Sequence, residues 1–230
     1  MYIQVEMDER MLSNHEVLRV SQQVEPLQAV TGIETENRYR IVDHNGDPIL
    51  FAYEESGFMS RQLLGGHRPI TMNVIGREGQ LLMVARRKHF WFLSHLELLY
   101  PDGTLLGKME QRFHLFGRRF NLIGVQGESA MVQGPMFRPH TFWVRRNGGD
   151  LAKITKEWGG LAQELVTVAD HFTIEFHGPQ VEEHLRWAII GAAFAIDLEY
   201  FENRGGRGGL RPGVLGGHSY DAGGFTGKGF

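Results

Sequence analysis

The sequence predicts a mostly β protein in which consecutive antiparallel hairpins close around one hydrophobic helix near the C-terminus. Three observations predict it. Turn signals recur at short intervals, namely Asn45-Gly46, Gly76 to Gly79, Pro101-Asp102-Gly103, Gly127 and Asn147-Gly148-Gly149. Between them lie short runs rich in β-branched and aromatic residues, among them Tyr39 to Val42, Ile49 to Tyr53, Thr71 to Ile75 and Leu81 to Ala85, which is how successive hairpins read in sequence. The third is a single, nearly continuous apolar stretch, Leu185 to Phe201, placed after the last strand signal. With 230 residues, 42% of them hydrophobic, the chain can bury one large core, and barrels of this size commonly form a single domain.

Taken in order, residues 1–14 form an N-terminal segment. Met1 to Glu9 alternates apolar with acidic residues instead of passing from basic to apolar, so it does not read as a secretory signal. Asn45-Gly46 supplies the positive backbone angles of a tight two-residue turn, so Tyr39–Asp43 is expected to pair with Pro48–Tyr53 across it. Phe172, Ile174 and Phe176 alternate with His171, Thr173 and Glu175, which turns an apolar face inward on one strand. A helix over 180–202 follows, with Pro179 suited to its start and Glu182 and Glu183 suited to the positive N-terminal end. Its uninterrupted apolar run, Trp187 to Ile196, falls well short of the roughly 20 residues that span a bilayer, and Asp197 and Glu199 follow at once. The run is apolar all round and kept thin by Gly191, Ala192, Ala193 and Ala195, as suits a helix threaded through a barrel and not inserted in a membrane. From Asn203 the composition turns to glycine with scattered Arg, Tyr and Phe, so 203–230 reads as a separate Gly-rich tail.

Three stretches carry a family resemblance. The segment Leu27 to Ile41, built around Thr31-Gly32-Ile33-Glu34-Thr35-Glu36-Asn37, resembles the opening of the phospholipid scramblase domain. Lys153-Ile154-Thr155-Lys156-Glu157-Trp158 is similar to that family's Lys-Ile-x-Lys-x-Trp segment. Ala169 to Phe176, and then Arg186 to Glu202 with Ile189-Ile190-Gly191-Ala192-Ala193 and Ile196-Asp197, resembles its terminal strand and helix. With Arg68-Pro69 these stretches stand in family order, and the resemblance covers about residues 15–202. It implies a tubby-like closed antiparallel barrel of about twelve strands around a central hydrophobic helix, a fold shared with LURP-one-related proteins. It also implies binding to membrane phospholipid and calcium-dependent lipid scrambling, although function does not follow from fold alone.

The chain departs from that family in two respects. A Pro-rich arm and cysteine clusters that take palmitate have no counterpart; the corresponding region reads Lys88-His89-Phe90-Trp91-Phe92. The calcium segment of the family aligns with Val168, Asp170, Phe172 and Ile174, which lack most of the ligand oxygens, whereas calcium takes about six to eight. Asp170 with Glu175 is the candidate residual cation site, against the plainer reading of a strand-end Asp and an exposed Glu, and no cofactor is expected. Asp43-x-Asn45-x-Asp47 imitates half of a calcium loop, but Pro48 stands where the loop needs glycine, so a hairpin turn explains it.

The formal charge of −3 is unevenly placed: Arg204, Arg207, Arg211 and Lys228 against Asp221 leave a basic tail on an acidic body. Bulk adhesion to nucleic acid is therefore not expected, and only local basic patches are candidates. Three such clusters sit beside aromatic residues: Arg86-Arg87-Lys88 before Phe90-Trp91-Phe92, Arg118-Arg119 before Phe120, and Arg145-Arg146 after Phe142-Trp143. Basic groups bind phosphate and aromatic rings settle at the lipid interface, so Arg86, Arg87, Lys88, Trp91, Arg118, Arg119, Trp143, Arg145 and Arg146 are the candidate lipid-binding residues. The eleven histidines form no metal-binding spacing, and no nucleophile elbow or phosphate loop is present, so no classical enzyme site is expected. Absence of cysteine excludes disulfides and thiolate chemistry and leaves the cytosol as the default compartment. The sequence thus points to a scramblase-related protein, cytoplasmic and peripheral on the membrane, that binds phospholipid; lipid scrambling itself ranks third, behind the alternative reading, because one short helix inside a barrel offers headgroups no path through a bilayer. The alternative is a non-enzymatic assembly scaffold whose tail, through Tyr220, Phe225 and Phe230, docks a protein partner or a second copy.

Overall fold

The computed structural model describes residues 11–22, 38–55, 69–88, 95–113, 117–124, 129–157, 171–178 and 181–198. Twelve strands run in chain order: β1 (Val17–Gln22), β2 (Arg38–Val42), β3 (Pro48–Glu54), β4 (Ile70–Gly76), β5 (Leu81–Arg87), β6 (His95–Leu99), β7 (Leu105–Arg112), β8 (Gly117–Gly124), β9 (Ser129–Pro135), β10 (Thr141–Arg146), β11 (Gly149–Glu157) and β12 (His171–Phe176). Each pairs antiparallel with its sequence neighbour, and β12 closes on β1, so the barrel has no open edge. Among the described residues one helix, α1 (Glu183–Ile196), follows β12. This is the barrel and helix that the resemblance implied.

Strand alternation explains the interior. Phe172, Ile174 and Phe176 point into the core as expected, and Leu18, Val20, Leu50, Val74, Met83, Leu122, Val144 and Ile154 join them. Outward positions include many charges, Arg19, Arg40, Lys108 and Arg145 among the exposed ones, with half-buried Phe51, Tyr53, Val84 and Met131 between them. A membrane-spanning barrel needs the opposite pattern, apolar outside and polar inside.

The helix is buried from Leu185 to Ile196, with only Ala195 half-buried, and is enclosed by strands from different sides of the ring. Phe194 stacks at 5.2 Å on Tyr39 of β2, and Asp197 meets Lys156 of β11 at 2.8 Å. Gly191 lies so close to β6 that a Cβ there would sit 2.6 Å from Leu98 Cδ2. The thin face read from the sequence is thus a steric requirement. Among the described residues no helix is long and apolar enough to cross a membrane. Pro179 and 199–202, the outer parts of the expected helix, lie outside the described residues, as does the tail from 203. Glu182 makes no side-chain capping bond; Glu183 instead accepts from Leu12 N–H at 2.8 Å and Ser13 Oγ at 2.6 Å, tying the helix start to the segment before β1.

The first described hairpin pairs β2 with β3 in the expected register, Tyr39 opposite Ala52 and Ile41 opposite Leu50. Its turn is one residue longer than the two-residue turn expected. Asp43 N–H donates to Asp47 C=O at 3.0 Å, and only Gly46, at φ +90°, takes a positive angle. The Asp43 carboxylate explains the longer turn, because it accepts from the backbone N–H groups of Asn45 and Asp47, both at 2.9 Å.

Alternating strand direction gives the barrel two unlike ends. At one end lie the short turns after β2, β4, β6 and β10; at the other, the long-connection end, β1, β3, β5, β7, β9 and β11 finish, and the sequence intervals to the next strand are mostly longer. The short-turn end is sealed by residues 11–16 and Arg186, whose guanidinium donates to Val181 C=O at 3.0 Å, Leu12 C=O at 3.0 Å and His15 C=O at 2.6 Å. The helix runs from that end toward the long-connection end.

Candidate lipid-facing surface

Four of the candidate residues lie at the long-connection end: Arg86 in the last pleat of β5, Lys88 just past it, and Arg118 and Arg119 at the start of β8. Arg145 and Arg146 close β10 at the opposite end, where acids answer them. Arg145 Nε donates to Asp150 Oδ1 at 2.6 Å and Arg146 Nη2 to Glu182 Oε1 at 2.9 Å. Arg146 holds the Glu182 carboxyl below its ordinary value against the opposing effect of burial. Arg87 is 3% exposed and faces the barrel interior, so it cannot meet a surface. Trp91 lies outside the described residues.

The aromatics that flank the basic clusters divide by face. Phe120 and Phe142 point into the core, because strand neighbours alternate between the two faces. Arg118 lies over the Phe142 ring at 5.4 Å and donates from Nη1 to Pro139 C=O at 3.0 Å, so it braces the neighbouring connection. Trp143 faces outward, between Arg145 at 5.7 Å and Lys153 at 5.9 Å. Cross-strand register puts it in one outer row that reads Arg112, Arg119, Gln133, Trp143, Lys153, Glu175 across β7 to β12. Arg119 and Trp143, far apart in sequence, therefore share a wall. Glu175 ends the row taken up by Lys153 Nζ, at 3.2 and 3.4 Å to its two oxygens. Asp170 lies outside the described residues, and among the described residues no group of three or more His, Cys, Asp or Glu is placed to hold a metal.

The structure adds a feature that the sequence reading passed over. Phe113, Met136 and Phe137 are exposed by 69%, 53% and 93%, on the adjoining β7–β8 and β9–β10 connections of the long-connection end. Arg112 and Arg138 stand directly beside them. Phe137 sits in a turn held by Arg138 N–H to Pro135 C=O at 3.1 Å and Thr141 N–H to Arg138 C=O at 3.2 Å, so the ring is held out by bonded backbone. Arg86 and Lys88 continue the arc, each 3.7 Å from Glu97. The same basic and aromatic pairing, in Arg112-Phe113 and Met136-Phe137-Arg138 between Pro135 and Pro139, was the available signal. The result is an arc of cations and fixed apolar side chains on one end of an otherwise acidic body.

A Scramblase family profile matches residues 2–203. Phospholipid scramblase 1 of Mus musculus is 29% identical over 209 residues, covering 84% of this chain and 63% of that protein, so this chain spans less than two thirds of it. Phospholipid scramblase family member 5 of Homo sapiens is 30% identical over 208 residues, covering 84% of this chain and 76% of that protein. Altered inheritance rate of mitochondria protein 25 of Saccharomyces cerevisiae is 23% identical, with 82% and 71% covered. A solved structure of a protein from Arabidopsis thaliana overlays with a TM-score of 0.45 and 8% identity over 80% of this chain and 93% of that one, too distant a likeness to carry an argument.

Proposed function

The chain belongs to the scramblase family, and from that premise we propose that it is a peripheral phospholipid-binding module whose barrel meets an anionic membrane end-on, through the long-connection end. One observation carries the reading: Phe137, 93% exposed, is held away from the core by a bonded turn with Arg138 beside it and Arg118 bracing it. A Phe that leaves water for lipid contributes roughly 2 kcal/mol, and a cation near an anionic leaflet contributes about 1 kcal/mol. A few of each give reversible attachment.

Flotation with vesicles tests this. Binding is expected with anionic lipid at low salt, weakening as salt rises, because exposed charges are screened. Phe113→Ser with Phe137→Ser should lower binding about a thousandfold, at unchanged melting temperature, by removing two such apolar burials. Absence of binding to anionic vesicles at low salt removes the reading. Binding, and not translocation, is what the geometry favours: the apolar helix is enclosed and the outer wall is charged, so a single barrel offers lipid headgroups no hydrophilic path across hydrocarbon. No acceleration of lipid exchange is expected in a dithionite assay on reconstituted vesicles.

A further inference from the structure

Arg112 and Arg119 stand directly opposite one another on the outer face of the β7–β8 ladder, beside the exposed Phe113. Like charges in register work against a sheet, so this placement is not explained by stability. Nor do the described residues neutralise it. Arg112 Nη2 lies 3.8 Å from Glu110 Oε2, a long and exposed ion pair of little consequence. Its guanidinium is oriented instead by a neutral group: the Asn121 amide oxygen, turned to satisfy both donors, accepts from Nε and Nη2 at 3.0 Å each. Among the described residues the Arg119 side chain has no ion pair, and the exposed Arg138 on the adjoining connection has none either.

We propose that the Arg112–Arg119 pair, with Arg138 beside it, is the subsite that receives a lipid headgroup ending in a phosphate monoester. The assignment rests on the docking reading above and deepens it. A phosphate monoester carries a charge of about −1.5 to −2 near neutral pH, which matches two facing guanidinium groups. A phosphodiester headgroup carries one charge and leaves half of the repulsion in place. Guanidinium also presents paired donors that fit phosphate oxygens.

The test compares vesicles of phosphatidylcholine doped with phosphatidic acid or with phosphatidylglycerol, matched in surface charge. The unaltered chain should float with both and prefer phosphatidic acid. Arg119→Gln and Arg112→Gln should each lose about fivefold in binding to phosphatidic acid, one cation's contribution, while binding to phosphatidylglycerol falls less. Their melting temperatures should equal or exceed that of the unaltered chain, since a repulsion is relieved. Failure to float with either vesicle overturns the docking reading and this one together. Equal binding to both, with equal losses in the variants, overturns the headgroup assignment alone. Millimolar inorganic phosphate should weaken the preference in the unaltered chain by competing for the pair, and a preference untouched by it would overturn the assignment to a phosphate monoester.

Discussion

Lys156 and Asp197 form a buried ion pair, with side chains 2% and 7% exposed and 2.8 Å between Nζ and Oδ1. Tyr39 Oη–H donates to the other carboxylate oxygen at 2.8 Å, so the end of the helix is tied to β11 and β2 at once. Two charges taken out of water gain little net stability, but removing one partner strands the other. Lys156→Met should therefore cost about 3–5 kcal/mol in denaturant unfolding, and Lys156→Met with Asp197→Leu should cost less than the single change. A cost below about 1 kcal/mol for the single change would deny the lock. Asp43 supplies a pH dependence. Its turn environment disfavours the charge by burial, but the N–H groups of Asp47 and Asn45 outweigh this and hold its carboxyl below the ordinary value. Stability from Asp43 is therefore present above that ordinary value and lost as pH falls through the lowered one. Asp43→Asn should flatten the acid limb of a stability profile, and an unchanged limb would contradict it. At this scale the sequence misled in one way. Adjacent basic and aromatic residues were read as sharing a surface, whereas Arg119 and Phe120 lie on opposite faces of one strand. Side-chain partners such as Asp150 and Glu182, which answer Arg145 and Arg146, depend on register and were not legible.

Local pattern reported strands and helix well. The runs Tyr39 to Val42, Thr71 to Ile75 and Leu81 to Ala85 lie inside β2, β4 and β5, and the alternation at 171–176 is β12. The Asn45-Gly46 turn was legible as a turn but not in its length, which a side-chain carboxylate sets. The helix was legible because its apolar run was too short for a bilayer, its composition small, and its end charged. Gly191 gives the element-scale test. Gly191→Leu would force a side chain into the space of Leu98 and should destabilise by about 3 kcal/mol or more, although leucine is the better helix former. Gly191→Ala should be better tolerated once Leu98→Val opens room. A helix lying free of the barrel would instead be stabilised by either change at Gly191.

Across the whole molecule, the two ends of the barrel differ in what they expose. The short-turn end is closed by Arg186 and residues 11–16, and Arg145 and Arg146 there are paired with acids. The long-connection end collects Arg112, Arg119 and Arg138 with Phe113, Met136 and Phe137. This division could not be read from sequence, because it depends on strand direction and on which connections become neighbours once the barrel closes. Closure also explains how a long apolar segment avoids lipid: β-strands shield it on every side. Hydrogen exchange by mass spectrometry, with and without anionic vesicles, examines both statements at once. Vesicles are expected to slow exchange at 112–119 and 135–140, while 183–196 stays strongly protected in both states. Faster exchange in 183–196 on vesicles, or slowing confined to the turns at 43–47 and 147–148, would contradict docking by that end of a barrel that keeps its helix.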